Sequence, residues 1–195
     1  MEYPLSLNCS SIMLDILLEG VKETIGSAEK SFVTGINSFE EKTGQIFLDT
    51  LLKSAPAIYG ERGASGIAYR IGEASFRYFL RSQGNEYSLT VNTFRLMNSS
   101  NRIIFGLNQL AQFANINSEI KIHISEDENN WYWTTLSGDI PDHASKVYSA
   151  YVIGLLREFV LWTSGGRYYP MKDITDTTNQ HISLRIAINK KPLDN

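Results

Sequence analysis

The feature that most narrows what this chain can fold into is a change of apolar period near residue 119. Upstream, apolar residues recur mostly at helical spacings. Downstream, Ile120, Ile122 and Ile124 alternate with Lys121, His123 and Ser125, the period of a half-buried strand. Trp131-Tyr132-Trp133-Thr134-Thr135-Leu136 follows, rich in the aromatic and β-branched residues that strands favour. Glu126-Asp127-Glu128-Asn129-Asn130 between the two runs is the turn of a hairpin. Residues 142–163 return to a helical period, with Asp142 as the capping candidate and Val147, Tyr148, Tyr151, Val152, Leu155, Leu156, Phe159, Val160 and Trp162 along it. Gly165-Gly166 ends that helix, and residues 167–174 and 181–188 supply two more strands around the turn at 175–180. The order over 119–187 is strand, strand, long helix, strand, strand. The helix is more aromatic and apolar than one half-exposed helix needs, so over a small sheet it would serve as lid and floor for an apolar ligand.

The upstream part reads as a succession of helices. Ile12, Leu14, Ile16, Leu17, Val21 and Ile25 define the first, over 11–25, with Ser10 or Ser11 as its cap and Gly26 as its stop. Residues 27–37 read as a loop. A second helix starts near Ser38, carries Glu40 and Glu41 in its first turn, where they suit the helix dipole, and ends before Pro56. Residues 57–65, with Gly60 and Gly63, read as a loop, and a third helix runs over 65–82 on Ile67, Ile71, Phe76, Phe79 and Leu80. Residues 89–97 lean helical, and Asn98-Ser99-Ser100-Asn101 caps a helix over 102–113. Helices first and strands later define an α+β chain with a mainly antiparallel sheet packed against N-terminal helices and one long helix. It is expected to be a single domain over 1–195, with a helical extension over 1–44 and a ligand-binding part over 45–193.

Composition bounds the function. With 195 residues, 43% hydrophobic and 20% charged, the chain can bury a real core. A net charge of −3 does not provide the concentrated basic surface that nucleic-acid phosphates require. The single cysteine, Cys9, forms no disulfide within the chain and no cysteine-rich metal site. Asn8-Cys9-Ser10 and Asn98-Ser99-Ser100 match the glycosylation pattern, but the chain shows no secretion signal. The run over 12–18 is interrupted by Asp15 and is too short to span a bilayer. The expectation is a cytoplasmic protein with no membrane span.

No catalytic motif accompanies these elements. His123, His143 and His181 are scattered, and a solvated or structural role outweighs a metal site for histidines with no ligand spacing. Ala64-Ser65-Gly66 and Thr163-Ser164-Gly165 only superficially resemble a nucleophile elbow. The glycine-rich segment Gly60-Glu61-Arg62-Gly63-Ala64-Ser65-Gly66 could place an anion at a helix N-terminus, but it lacks a phosphate-loop lysine and does not match the dinucleotide fingerprint. A plain loop is the stronger reading. Arg70, Arg77 and Arg81 share roughly one helix face; such a face is usually solvated, and the sharper alternative is a clamp for a ligand carboxylate. Gly66, Ala68, Gly72, Ala74 and Ser75 let another backbone approach closely, either a neighbouring helix or a second copy. A glycine inside a helix costs about 1 kcal/mol relative to alanine, so Gly72 needs such a reason.

Gly66-Ile67-Ala68-Tyr69-Arg70-Ile71-Gly72-Glu73, running into residues 76–80, resembles the Gly-x-x-x-x-x-Gly helix of the 4-vinyl reductase domain family and its TRAPP vesicle-tethering relatives. Phe105-Gly106-Leu107 resembles that family's glycine-bearing segment before its central strands. Tyr148-Ser149-Ala150-Tyr151-Val152-Ile153-Gly154-Leu155-Leu156 resembles its small-residue helix, with Ala150 where a glycine is usual. Gly165-Gly166 and a closing Pro192-Leu193 follow in the expected order, so the resemblance covers about 45–193. It implies a ligand-binding fold of the TRAPP and NO-signalling kind, a homodimer, and a small hydrophobic ligand, as in aromatic-responsive regulators and bacteriochlorophyll biosynthesis. Ser145, Thr175 and Ser183 stand about where many members carry cysteines, so a metal or thiol role tied to those positions is not expected.

The expected function is therefore binding of an apolar, aromatic or tetrapyrrole-like small molecule, as sensor or carrier. Tyr69, Arg70, Phe76, Phe105, Trp131, Trp133, Tyr148, Tyr151 and Trp162 are the candidate ligand contacts, since buried Trp and Tyr seek partners for their polar ends. No catalytic residue, metal or cofactor is expected. Two alternatives remain: an enzyme or accessory factor acting on a chlorophyll-type intermediate through His123 or His143, and a tethering or scaffold subunit working through its surfaces.

Overall fold

Helical and strand periods become nine elements in a computed structural model that describes residues 10–26, 43–136, 142–176 and 183–193, excepting the side chains of 43–54, 57–58 and 142–145. The order is α1 (Ser11–Ile25), α2 (Thr43–Gln83), α3 (Asn92–Leu96), α4 (Ser99–Asn117), β1 (Lys121–Glu126), β2 (Asn130–Leu136), α5 (Asp142–Ser164), β3 (Met171–Asp173) and β4 (Leu184–Asn189). This is the expected α+β arrangement. The loop expected over 27–37, the start of the second helix near Ser38, the link at 137–141 and the position of His181 lie outside the described residues.

The caps follow the sequence. Ser10 Oγ accepts from Met13 N at 3.3 Å at the start of α1, and Asn98 Oδ1 accepts from Asn101 N at 2.8 Å at the start of α4, each satisfying an N–H that the helix leaves without a partner. The end of α5 also obeys its residues: Gly165 and Gly166 take φ of 72° and 91°, and Gly166 N donates to Leu161 O at 2.8 Å.

The second and third helices differ from expectation in how they join. They are two helices, as expected, but they run together as α2 with a break at Gly60 in place of the loop read over 57–65, and Pro56 lies inside the first of them. The break is confined to Gly60, at φ 70° and ψ 164°, a region essentially reserved for glycine. A proline and two glycines normally stop a helix; here one residue absorbs the kink and helical geometry resumes at once.

After the kink, α2 crosses α5 at backbone contact. A β-carbon on Gly72 would fall on the Tyr151 carbonyl, and one on Gly154 would fall on the Tyr69 carbonyl. Each helix thus supplies a glycine where the other's backbone passes. Gly72 serves packing on a neighbouring helix of the same chain. Arg77 fastens a third helix to this pair, donating to Glu23 of α1 at 2.6 and 3.1 Å and to Glu158 of α5 at 3.0 Å.

The sheet is antiparallel, in the order β1-β2-β4-β3. Ile124 pairs with Trp133 and Trp133 with Ile186; Ile122 pairs with Thr135 and Thr135 with Leu184. These residues, with Trp131 and Ile188, share the face that joins the core, whereas His123, Tyr132, Arg185 and Ala187 alternate onto the other. Asn115 fixes β1 to the end of α4: its Oδ1 accepts from Ile122 N at 2.6 Å and its Nδ2 donates to Ile122 O at 3.0 Å. Ser10 closes the same corner, donating to Asn117 O through its backbone and to Asn117 Oδ1 through its hydroxyl, both at 2.7 Å. Among the described residues, no helix is long and apolar enough to cross a membrane.

Candidate functional site

Where these elements meet, the core does not close completely. A cavity of about 70 Å³ lies among Met13, Ile16 and Leu17 of α1, Phe76 and Phe79 of α2, Leu110, Phe113 and Ala114 of α4, Ile120 and Ile122 at β1, Trp133 of β2, and Tyr148, Tyr151, Val152 and Leu155 of α5. Its position follows from the crossing just described. The glycines hold the middle of α2 and α5 together, while Phe76, Phe79, Tyr148 and Tyr151 project beside the crossing, where large rings cannot interdigitate fully. Phe79 and Phe113 pack at 4.9 Å between centroids on one side.

The lining is almost entirely apolar. The described lining residues whose side chains carry a heteroatom are Trp133, Tyr148, Tyr151 and Met13. Burial pushes the Tyr148 phenol up to about 12, with the neighbouring Thr135 hydroxyl a smaller opposing influence, so at neutral pH Tyr148 keeps its proton. Among the described residues, no histidine, carboxylate, lysine or arginine lines the cavity, and no group of histidine, cysteine and carboxylate side chains could hold a metal ion. The space can exclude water and hold an apolar body, but it offers no general acid or base of ordinary strength near neutrality.

Of the nine candidate contacts, Phe76, Trp133, Tyr148 and Tyr151 come together at this cavity. The other five lie elsewhere. Tyr69 sits beside Arg157, whose guanidinium carbon is 5.9 Å from the ring, and Arg70 is exposed. Phe105 packs on Phe94 at 5.8 Å. Trp131 is buried under the sheet beside Tyr169, with Lys190 Nζ 5.6 Å from its ring. Trp162 is 39% exposed and stacks on Phe94 at 5.6 Å. Arg77 is committed to Glu23 and Glu158. His123 is exposed on the face of the sheet away from the cavity, and the side chain of His143 lies outside the described residues. Of the other lining residues, Val152 and Leu155 belong to the helix expected to serve as a lid, Ile16 and Leu17 stood in the sequence only as an apolar helix face, and Met13 did not stand out. Their helical period marks an inward face and nothing more.

No family model matches this sequence, and no curated protein matches it. Solved structures do. An H-NOX structure described in work on H-NOX activation has a TM-score of 0.63 at 10% identity, covering 96% of this chain and 99% of that one. An oxygen-binding H-NOX domain related to soluble guanylate cyclases, in its oxygen complex, has a TM-score of 0.61 at 10% identity, with 95% and 97% covered. The Fe(II) unliganded H-NOX protein from K. algicida has a TM-score of 0.52 at 12% identity, with 95% and 99% covered. The chain has the fold of these domains over nearly its whole length. This corrects the resemblance drawn from the sequence: the structural relatives are H-NOX domains, not 4-vinyl reductase or TRAPP-like proteins, and bacteriochlorophyll biosynthesis has no support. The glycines behind that resemblance report two helices crossing at backbone contact, a packing requirement that different families can meet in the same way.

Other structural relatives concern haem distortion in H-NOX proteins, so haem is the group this fold implies. The residues that line the cavity do not fit it. About 70 Å³ is far below the roughly 300–1,000 Å³ of ligand and cofactor pockets. Of the usual axial donors, His, Cys, Met and Tyr, the described lining offers Met13 and the two tyrosines. Tyr148 is shifted toward the protonated phenol, the opposite of what a phenolate ligand needs. Among the described residues, no cationic side chain lines the cavity to meet the two haem carboxylates.

Proposed function

We propose that this protein binds a small, uncharged, apolar molecule in the cavity between α1, α2, α4, α5 and the sheet, as a sensor or carrier. The observation that carries this reading is an aromatic-lined, partly open cavity between the helices and the sheet. A ligand that fills it gains about 25 cal/mol for each Å² of apolar surface buried. Four of the aromatic residues expected to contact a ligand supply the lining, and nothing there supports turnover. Titration with small hydrocarbons such as cyclopropane tests it, followed by the tryptophan emission and by the thermal midpoint, which rises when a ligand binds only the folded state. Saturable changes in both are expected, and a flat response across such molecules ends the proposal.

The fold favours a second reading, a haem-bearing sensor like the H-NOX domains, in which the same helices part to admit the porphyrin. Hemin mixed with the protein would then develop the sharp, shifted absorption band of a ligated haem. A spectrum that remains that of free hemin sinks this reading.

A further inference from the structure

We infer that the protein carries a second site, for a small aromatic carboxylate, in a groove on the face of the sheet that points away from the cavity. The groove has a volume of about 380 Å³, and Asn130, Tyr132, Lys172, Ile174, Ala187 and Asn189 are among the residues that line it. That volume lies within the roughly 300–1,000 Å³ of small-molecule pockets. Its shape follows from the strand register. Ala187 pairs with Tyr132 of β2 on one side and with Lys172 of β3 on the other, and paired residues share a face of the sheet. Its same-face neighbours along β4 are Arg185 and Asn189. One methyl group is thus ringed by four larger side chains, and the surface sinks there. Alanine is depleted in strands, where larger side chains gain cross-strand contacts; β4 forgoes those contacts at this position. Lys172 is exposed and Tyr132 and Ala187 are half-buried, so walls and floor are open to solvent.

The walls set the ligand's charge. Among the described residues, no carboxylate lines the groove, and neither Lys172 nor Arg185 makes an ion pair. Arg185 lies over the Tyr132 ring, 4.5 Å from its centroid. Asp127, at the hairpin turn, is already committed: it accepts from the Tyr132 hydroxyl at 2.5 Å and from the backbone N–H groups of Asn129 and Asn130 at 2.7 and 2.8 Å. The complement of this groove is therefore an anion, its charge beside Lys172. The floor sets the ligand's body. A methyl group on a pleated sheet, rimmed by Pro170 and Ile174, is flat and apolar, and an aromatic ring matches it. A cavity of about 150 Å³ holds benzene, so this groove has room for a ring with its carboxylate.

The test titrates benzoate and benzamide into the full chain through the millimolar range, followed by carbon–proton NMR of the alanine methyl groups. Benzoate should saturate and move the Ala187 methyl signal upfield, as the face of its ring covers it. Benzamide, with the same shape and no charge, should bind roughly fivefold more weakly. Acetate, with the charge and no ring, should not displace benzoate at equal concentration. Lys172 is exposed, so Lys172→Gln keeps the fold, and it should bring benzoate down to the affinity of benzamide. Ala187→Leu fills the floor and should abolish the binding of both. Equal affinity for benzoate and benzamide, displacement by acetate, an unchanged response in Lys172→Gln, or no saturation overturns the inference. The groove and the cavity lie on opposite faces of the sheet, so each of these results leaves the proposed function standing.

Discussion

At the scale of single residues, glycines and one tyrosine decide how the cavity is built. Gly72 and Gly154 each occupy the place where the other helix's carbonyl passes, so a methyl at either position must separate two backbones. Gly72→Ala and Gly154→Ala should each lower stability by about 3 kcal/mol in urea unfolding, the upper end of what overpacking costs. Gly66, on the same helix, has nothing within 4 Å of a β-carbon and lies on an exposed face; Gly66→Ala should raise stability by about 0.5–1 kcal/mol through helix propensity. Tyr148 makes stability depend on alkaline pH. Folded, its phenol holds the proton to about 12, against an ordinary value of 10.0. Its contribution is therefore complete below about pH 10 and is lost as pH rises toward 12, at about 1.4 kcal/mol for each pH unit between the two values. Tyr69, Tyr87 and Tyr132 are also raised, by burial first for Tyr69 and Tyr87 and by the Asp127 hydrogen bond first for Tyr132, so each tilts stability the same way. Unfolding measured at about pH 9.5 and pH 11.5 should show a smaller drop for Tyr148→Phe than for the unsubstituted chain; equal drops would remove Tyr148 as a cause.

At the scale of elements, α2 is where local signals and tertiary structure part. Its kink rests on Gly60 at φ 70°, where a β-carbon would meet no neighbour. The penalty for Gly60→Ala is then purely conformational, about 1–2 kcal/mol, and should appear as a lower urea midpoint with an unchanged slope. Had the segment been a flexible loop, as its glycines imply, alanine would be neutral or mildly stabilising. The strands and α5 were legible from period alone, because Ile120, Ile122 and Ile124 face the core while Lys121 and His123 face water, and one residue of slip would invert that. The order β1-β2-β4-β3 was not legible: β2 pairs with β4 across the whole of α5 and β3, and pairing at that distance leaves no mark in local spacing. The site was legible in part for a related reason. Phe76, Trp133, Tyr148 and Tyr151 stand out as aromatics wherever they fall, but so do Trp131 and Trp162, and only the packing of Trp162 on Phe94 separates it from a cavity wall. The contribution of α1 depends on Ser10 meeting Asn117, a tertiary contact 107 residues apart in sequence.

At the scale of the whole molecule, the cavity says more about a ligand than the fold does. The fold shared with H-NOX structures covers nearly the whole chain, yet a fold is compatible with many sites, whereas the size and apolar lining of the cavity constrain what can enter. If the void is kept for a ligand, filling it should exchange function for stability, as stabilising substitutions at working sites often do. Ala114 of α4 lines the cavity and is 7% exposed. Ala114→Leu should occupy the space, raise the thermal midpoint by about 2–4 °C, equivalent to about 1 kcal/mol in a chain of this size, and abolish the saturable response to small apolar molecules. A variant that is stabilised but still binds would place the ligand elsewhere on the molecule. One that binds nothing and is destabilised would mean that the lining is already as full as this fold tolerates. Only the first outcome, stability gained as binding is lost, shows that the void is maintained at the expense of the core around it.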